Sequence, residues 1–224
     1  MEVALVDKIS SSITPLLDEA AAPVDITRAT TAIFYSISNT QTGLRGVSFG
    51  DSLIKHVVET LTAEFPRLRT FATLSPIPGF RAWLSKHAGA MLDRLDDKRR
   101  SELGRAVGFE PPQATHLLGA VDKALELDAK SPVRQMLLEC AAYYLGRELQ
   151  EGKPADPVAR FHLGNGARVE RLNWAGDPSG KGQKQSYGLM VNYLYDLKRI
   201  DKHRSLLAQG KVPVSGDIDS LCRD

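Results

Sequence analysis

The stretch from residue 30 to residue 75 constrains this chain more than any other. TTAIFYSIS (30–38) is rich in β-branched and aromatic residues and reads as a strand. NTQTGLRGVSFGDS (39–52) carries glycines and no hydrophobic period, so it reads as a loop. SLIKHVVETLTAEF (52–65) then places Leu53, Ile54, Val57, Val58 and Leu61 at helical spacing, and Pro66 ends the run. RTFATLS (69–75) is a second strand. Strand, glycine loop, helix, strand is a βαβ-like unit, with its loop at the exit of the first strand. Alternation along that first strand puts Ala32, Phe34, Ser36 and Ser38 on one face and Ile33, Tyr35 and Ile37 on the other.

The second strand runs into FATLSPIPGF (71–80), where Pro76 and Pro78 each lack a backbone donor. Ser75 is therefore expected to be the last residue before a stiff, non-pairing exit. Strand ends that feed constrained loops are where open α/β sheets hold ligands, so Ser75 either caps a turn or faces a cleft.

Around this unit the pattern is less regular. EVALV (2–6) is a short apolar run consistent with a buried strand, and SSSITPLLDEAA allows a helix from about Ile13. Residues 81–150 hold three amphipathic helical stretches, with DDKRR (96–100) as a solvated face or turn and FEPPQ (109–113) as a breaker. QEGKPADP (150–157) reads as a linker, and ARFHLGNGARVERLNW (159–174) as a hairpin turning at Gly164-Asn165-Gly166. DPSGKGQKQS (177–186) reads as a polar loop. GLMVNYLYDL (188–197) alternates as a strand does, a helix being the other choice, and KRIDKHRSLLAQGK is helical. The tail beyond is weakly patterned.

Composition narrows the function classes. With 224 residues the chain can bury a sizeable core, and 42% hydrophobic with 25% charged residues is ordinary for a globular protein. A formal charge of +2 argues against a nucleic-acid partner but allows a local site for a phosphorylated ligand. The two cysteines, Cys140 and Cys222, suggest no disulfide framework, which favours a reducing compartment. The N-terminus carries no secretory pattern, no apolar stretch reaches the ~18–20 residues of a membrane span, and the final CRD is not a peroxisomal address. A cytoplasmic location and no membrane partner are expected.

Two features could carry chemistry. The loop LRGVSFGDS lets backbone approach a ligand, leads into a helix whose first N–H groups are unpaired, and adds the charge of Arg45. It could hold a pyrophosphate, although it lacks both GxxxxGK[ST] and GxGxxG, and Asp51 would repel phosphate if it pointed inward. The other feature is a constellation: Ser36, Ser75 and His162 could line one cleft if their elements are neighbours. His56, His87, His116 and His203 fall in helical stretches and receive no role. No HExxH, paired CxxC or EF-hand spacing occurs, so no metal site is expected.

Together the segments AIFYSISNTQTGLRGVSFG, FPRLRTFATLSPIPGF, DPVARFHLGNGARVERLNW and GLMVNYLYDL resemble the malonyl-CoA decarboxylase family, in its order and at similar spacing. The resemblance covers essentially the whole chain. It implies an α+β fold of the GNAT type, a mixed, mostly antiparallel sheet flanked by helices that splays to admit acyl-coenzyme A. Residues 1–224 would form one catalytic domain with a helical insertion at about 81–150. The implied reaction takes malonyl-CoA to acetyl-CoA and carbon dioxide, a step of fatty acid metabolism, with no metal, biotin or other prosthetic group.

By the same resemblance the coenzyme A loop is Arg45, Gly46, Val47, Ser48, Phe49, Gly50 and Asp51. Ser75 is the active-site serine, His162 the active-site histidine, and Ser36 a further serine near the acyl group. Ser75 would bind the malonyl carboxylate or thioester and accept or relay a proton, and His162 would donate one. Histidine suits that task because its ordinary pKa of about 6.5 allows both forms near neutrality. Family members also carry an N-terminal helical domain that contributes to oligomerisation. Without it, homo-oligomers are expected to be weakened, and a non-catalytic acyl-CoA-binding module or a GNAT-type acyltransferase are the alternative readings.

Overall fold

The computed structural model describes residues 2–18, 20, 25–36 and 50–222, with the side chains of residues 50–53 excepted. Strand β1 (Glu2–Val6) is followed by single 3-10 turns at Thr14–Leu16 and Ile26–Arg28, then by β2 (Thr31–Ser36). Helix α1 is described from Gly50 to Glu64, and β3 (Thr70–Thr73) and β4 (Ser75–Pro76) follow it. Four helices come next: α2 (Phe80–Asp93), α3 (Asp97–Val107), α4 (Ala114–Val121) and α5 (Pro132–Gly146). A two-residue hairpin, β5 (Leu149–Gln150) and β6 (Lys153–Pro154), leads into α6 (Pro157–Gly164) and β7 (Arg168–Asn173). The rest is α7 (Gly180–Ser186), β8 (Met190–Leu194), α8 (Ile200–Ala208) and α9 (Gly216–Leu221).

One mixed, mostly antiparallel sheet organises these elements. β1 pairs antiparallel with β2, and β2 pairs parallel with β3, so residues 31–73 form the expected βαβ-like unit. β8 lies antiparallel to β3 and β4 along one edge and to β7 along the other. The fold is therefore α+β, with the sheet flanked by helices.

Alternation sorts the sheet's two faces. Ala32, Phe34, Phe71, Val191, Tyr193 and Tyr195 join the main core, which the helical region between 80 and 146 builds up with Phe80, Leu84, Leu137 and Leu145. Ile33, Ala72, Leu74 and Met190 face the other way, under Ile9, Ile13 and Leu16 of the segment after β1. The helical region between 80 and 146 thus covers one sheet face. Among the described residues no helix is long and apolar enough to cross a membrane.

Several local expectations are corrected, each by a cap or a turn. DDKRR is the solvated face at the start of α3 rather than a turn, because the Asp96 side chain accepts from Arg99 N–H at 2.8 Å and nucleates the helix. Residues 50–52 belong to α1 rather than to the loop before it, and the expected helix near Pro15 is only the 3-10 turn. Residues 177–186 are not all loop: Ser179 Oγ accepts from Gly182 N–H at 3.2 Å and starts α7. The weakly patterned tail forms α9 behind a Ser215 cap.

The largest correction concerns the hairpin expected at 159–174. Its first arm is helix α6, because Asp156 caps the N-terminus and Pro157 occupies the first helical turn. Gly164-Asn165-Gly166 does reverse the chain, but from helix to strand. Gly166 takes φ 83°, and a Cβ there would collide with Ile200. His162 therefore stands in the last turn of a helix, buried over the sheet.

Candidate active site

The β3–β8 ladder opens beside Ser75. Ala72 pairs with Leu194, and Ser75 with Val191, but side chains take over the bonding between those pairs. Tyr193 N–H donates to Thr73 Oγ1 at 3.1 Å, and Asn192 Nδ2 donates to Thr73 O at 2.7 Å. Asn192 also receives Asn173 Nδ2 at 2.8 Å and donates to Ser10 O at 3.0 Å. Alternation from Phe71 through Thr73, with Ala72 and Leu74 on the other face, puts Ser75 on the helix-covered face. Pro76 still pairs opposite Met190, so the ladder ends one residue later than the sequence suggests.

The structure brings Ser75 and His162 together. Ser75 Oγ donates to Thr73 Oγ1 at 2.9 Å and lies 3.3 Å from His162 Nε2. His162 Nδ1 lies 2.8 Å from Tyr195 Oη, and its ring stacks on Tyr193 with centroids 4.7 Å apart. With Ser75 donating to Thr73, the consistent assignment has His162 Nε2–H donating to Ser75 Oγ and Tyr195 O–H donating to Nδ1. The chain then runs in one direction from Tyr195 through the imidazole to Thr73.

Ser36 closes β2. It follows a register shift in the β1–β2 ladder, where Val3 pairs with Phe34 and Glu2 with Ser36, so alternation from Phe34 does not carry Ser36 onto the face of Ser75. Among the described residues neither Ser75 nor His162 hydrogen bonds to Ser36. Arg45, Gly46, Val47, Ser48 and Phe49 lie outside the described residues, as do Ile37 and Ser38, and Gly50 and Asp51 are placed by backbone alone in the first turn of α1.

Electrostatics change the expected role of the histidine. His162 is 4% exposed, and burial pushes its imidazole down to about 3. The ring is therefore neutral at pH 7 in the ligand-free protein, not balanced between two forms. A stability consequence follows. The unfolded chain takes up this proton below about pH 6.5 and the folded ring resists it, so stability is full above 6.5 and is lost as pH falls toward 3. Between pH 7 and pH 4 the wild type should lose roughly 3 kcal/mol more than His162→Gln in urea unfolding. Parallel pH profiles for the two proteins would mean that the ring titrates freely.

A cleft of about 400 Å³ touches this network at Tyr195 alone and is lined besides by Ile54, Lys55, Asn165, Ile200 and Arg204. It joins the first turns of α1, which follow the glycine-bearing segment in sequence, to the tyrosine that contacts His162. A larger cleft of about 630 Å³, edged by Arg147, Arg168, Lys202 and Lys211, contains neither Ser75, His162 nor Tyr195. Among the described residues no group of three or more His, Cys, Asp or Glu side chains could hold a metal ion.

Thr73, Asp156, Asn192, Tyr193 and Tyr195 belong to the site and went unremarked in the sequence. The alternation of MVNYLY does put both tyrosines on the face of Val191, and Asp-Pro ahead of VARFHL is a helix-start signal. Thr73 and Asn192 carry no comparable signature, because their roles arise from the splay.

A buried serine–histidine pair on a strand edge, backed by a tyrosine that lines a cleft, is the kind of constellation with which enzymes move protons. Over residues 1–224 the chain matches the family model described as malonyl-CoA decarboxylase C-terminal domain, and it belongs to that family. It is similar to the mitochondrial malonyl-CoA decarboxylase of Rattus norvegicus, 37% identical over 232 residues that cover 99% of this chain and 47% of that protein. The protein of the same description from Anser anser anser is 37% identical over 209 residues, 88% of this chain and 41% of that one.

Among solved structures, the malonyl-CoA decarboxylase of Cupriavidus metallidurans matches with TM-score 0.85 and 46% identity, over 98% of this chain and 53% of that chain. That of Rhodopseudomonas palustris matches with TM-score 0.78 and 42% identity, over 98% and 48%. The chain spans less than half the length of these curated relatives.

Proposed function

We propose that this domain decarboxylates malonyl-CoA to acetyl-CoA and carbon dioxide, using Ser75 and His162 at the acyl end. The observation that carries the reading is the contact of Ser75 Oγ with His162 Nε2 at 3.3 Å, in a chain that belongs to a malonyl-CoA decarboxylase family. In this reading the segment Arg45–Asp51 and the N-terminus of α1 hold the diphosphate, and the pantetheine follows the cleft past Tyr195. Ser36, at the end of β2, lies beside the acyl group in the same reading. A reducing, cytoplasmic setting accords with Cys140 and Cys222 being free thiols.

The chemistry needs donors at one oxygen and a proton at one carbon. When the bond between the α-carbon and the carboxylate breaks, its electron pair moves onto the thioester oxygen and carbon dioxide leaves. Ser75 O–H, turned from Thr73 to that oxygen, stabilises the developing enolate. A thioester enolate is a stronger base than an imidazolate, so the neutral ring can protonate the α-carbon from Nε2. Nδ1 then takes the Tyr195 proton across the 2.8 Å contact; once product leaves, a solvent proton reaches Nε2 and Nδ1 returns its proton to the tyrosinate, which restores the starting tautomer. One solvent proton is consumed per turnover, and no resident metal or prosthetic group is required.

Tyr195→Phe should slow turnover roughly tenfold, the equivalent of one hydrogen bond worth about 1–1.5 kcal/mol, measured as kcat at saturating substrate. An unchanged kcat would take Tyr195 out of the relay.

The test of the reading is incubation of the purified protein with malonyl-CoA in D2O. Acetyl-CoA carrying one new deuterium, with carbon dioxide released in equal amount, is the expected result. Free coenzyme A released only in the presence of an amine would indicate an acyltransferase. Binding without turnover would leave an acyl-CoA-binding module.

A further inference from the structure

The turn that carries Ser75 and the helix that carries His162 are far apart in sequence, yet one buried carboxylate touches both. Asp156 is fully buried. Its Oδ1 accepts from Val158 N–H at 2.9 Å and from Ala159 N–H at 3.0 Å, which starts α6 six residues before His162. Its Oδ2 accepts from Gly79 N–H at 3.4 Å, four residues after Ser75 and just ahead of α2. The Tyr144 hydroxyl of α5 stands beside the same carboxylate at Gly79 and favours its ionised form. A helix cap needs only the first pair of bonds, so the reach to Gly79 and Tyr144 is left without a capping explanation.

Two further observations point the same way. A Cβ on residue 79 would collide with Tyr144 Oη, so the glycine permits the close approach that brings its amide to Asp156. Tyr193, on which the His162 ring stacks, has a buried hydroxyl without a hydrogen-bond partner among the described residues and feels the charge of Asp156 most strongly among its neighbours. Burial raises the carboxyl of Asp156, while the three backbone N–H groups and the Tyr144 hydroxyl favour its ionised form.

We infer that Asp156 is a positioning residue for the Ser75–His162 pair: its carboxylate straps the β4–α2 turn to the start of α6 and so sets the distance between Ser75 Oγ and His162 Nε2. The inference rests on the decarboxylase reading for its kinetic consequence, but not for the geometry. The strap passes through Gly79 on one side and through the first turn of α6 on the other, both short rigid paths to the reacting side chains. A displacement of about 1 Å between such groups is enough to lower a rate ~100-fold.

Two variants separate strap from cap. Serine caps a helix as well as aspartate does but is too short to reach Gly79. Asparagine keeps the shape and the capping oxygen but turns an amide N–H2 toward the Gly79 amide, donor against donor. Asp156→Ser and Asp156→Asn should each lower kcat on malonyl-CoA ~10–100-fold while KM stays within about twofold. In the ligand-free proteins, the His162 imidazole nitrogen resonances should shift away from the single tautomer of the wild type, a readout that a lost cap alone would not move.

Wild-type kcat and unchanged His162 resonances in both variants would overturn the inference. If the wild type itself fails to turn over malonyl-CoA, the decarboxylase reading falls. The resonances then still decide whether Asp156 sets the pair: shifted in both variants supports the strap, unshifted removes it.

Discussion

His162→Asn is expected to turn over malonyl-CoA about 10²–10⁴-fold more slowly than the wild type, with coenzyme A affinity within a few-fold. The size follows from the ring's position. It is the group in the chain of hydrogen bonds that has a proton on the side of Ser75 and an acceptor on the side of Tyr195. Asparagine can fill part of the space and donate one hydrogen bond, but it cannot exchange a proton between two nitrogens. Affinity is spared because the coenzyme A handle sits at α1 and its preceding loop in the proposed reading. The measurement is a pair of experiments on one preparation, kcat from product formation and coenzyme A binding by calorimetry. Equal loss of both would mean that the substitution damaged the fold, and retention of both would remove His162 from the chemistry.

Ser75→Ala should lower kcat by about 10²–10³-fold, the value of one preorganised donor at a developing oxyanion. The structural disturbance should be small by comparison. Thr73 Oγ1 keeps its bond from Tyr193 N–H, so the splay of β3 from β8 persists when the Ser75 hydroxyl goes. What is lost is the partner of His162 Nε2 and the O–H aimed at the substrate. A melting temperature within a few degrees of wild type, alongside the kinetic loss, is the expected pair of results. A kinetic effect below tenfold would assign the oxyanion to another donor.

Much of this was legible in the sequence, and the reasons differ from element to element. The βαβ-like unit at 31–73 could be read because its strands have two-residue alternation and its helix has the longer period. Ser75 stood out because Pro76 and Pro78 mark a strand's end, although Pro76 in fact still pairs with Met190. His162 was singled out correctly as a neighbour of Ser75 but placed on the wrong element. Gly-Asn-Gly is a strong hairpin signal, and here the competing signal of Asp156 and Pro157 prevails over eight residues.

The remainder was not legible, because it depends on distant residues meeting. Thr73 and Asn192 matter only where β3 and β8 part, a feature of tertiary packing that leaves no local pattern. The neutral state of His162 is likewise a property of burial under the sheet, and no spacing announces it. Asp156 reads locally as a plain helix cap, and its second hydrogen bond to Gly79 crosses 77 residues of sequence. The segment Arg45–Phe49 lies outside the described residues, so its expected contact with the diphosphate stands on the family resemblance.

The most direct measurement is a crystal structure of the protein with a malonyl-CoA analogue whose thioester sulfur is replaced by a methylene group. The account predicts the analogue's carbonyl oxygen within hydrogen-bond distance of Ser75 Oγ, its α-carbon facing His162 Nε2, and its chain running out past Tyr195. An acyl group bound elsewhere, such as between Arg168 and Lys211 in the larger cleft, would contradict it.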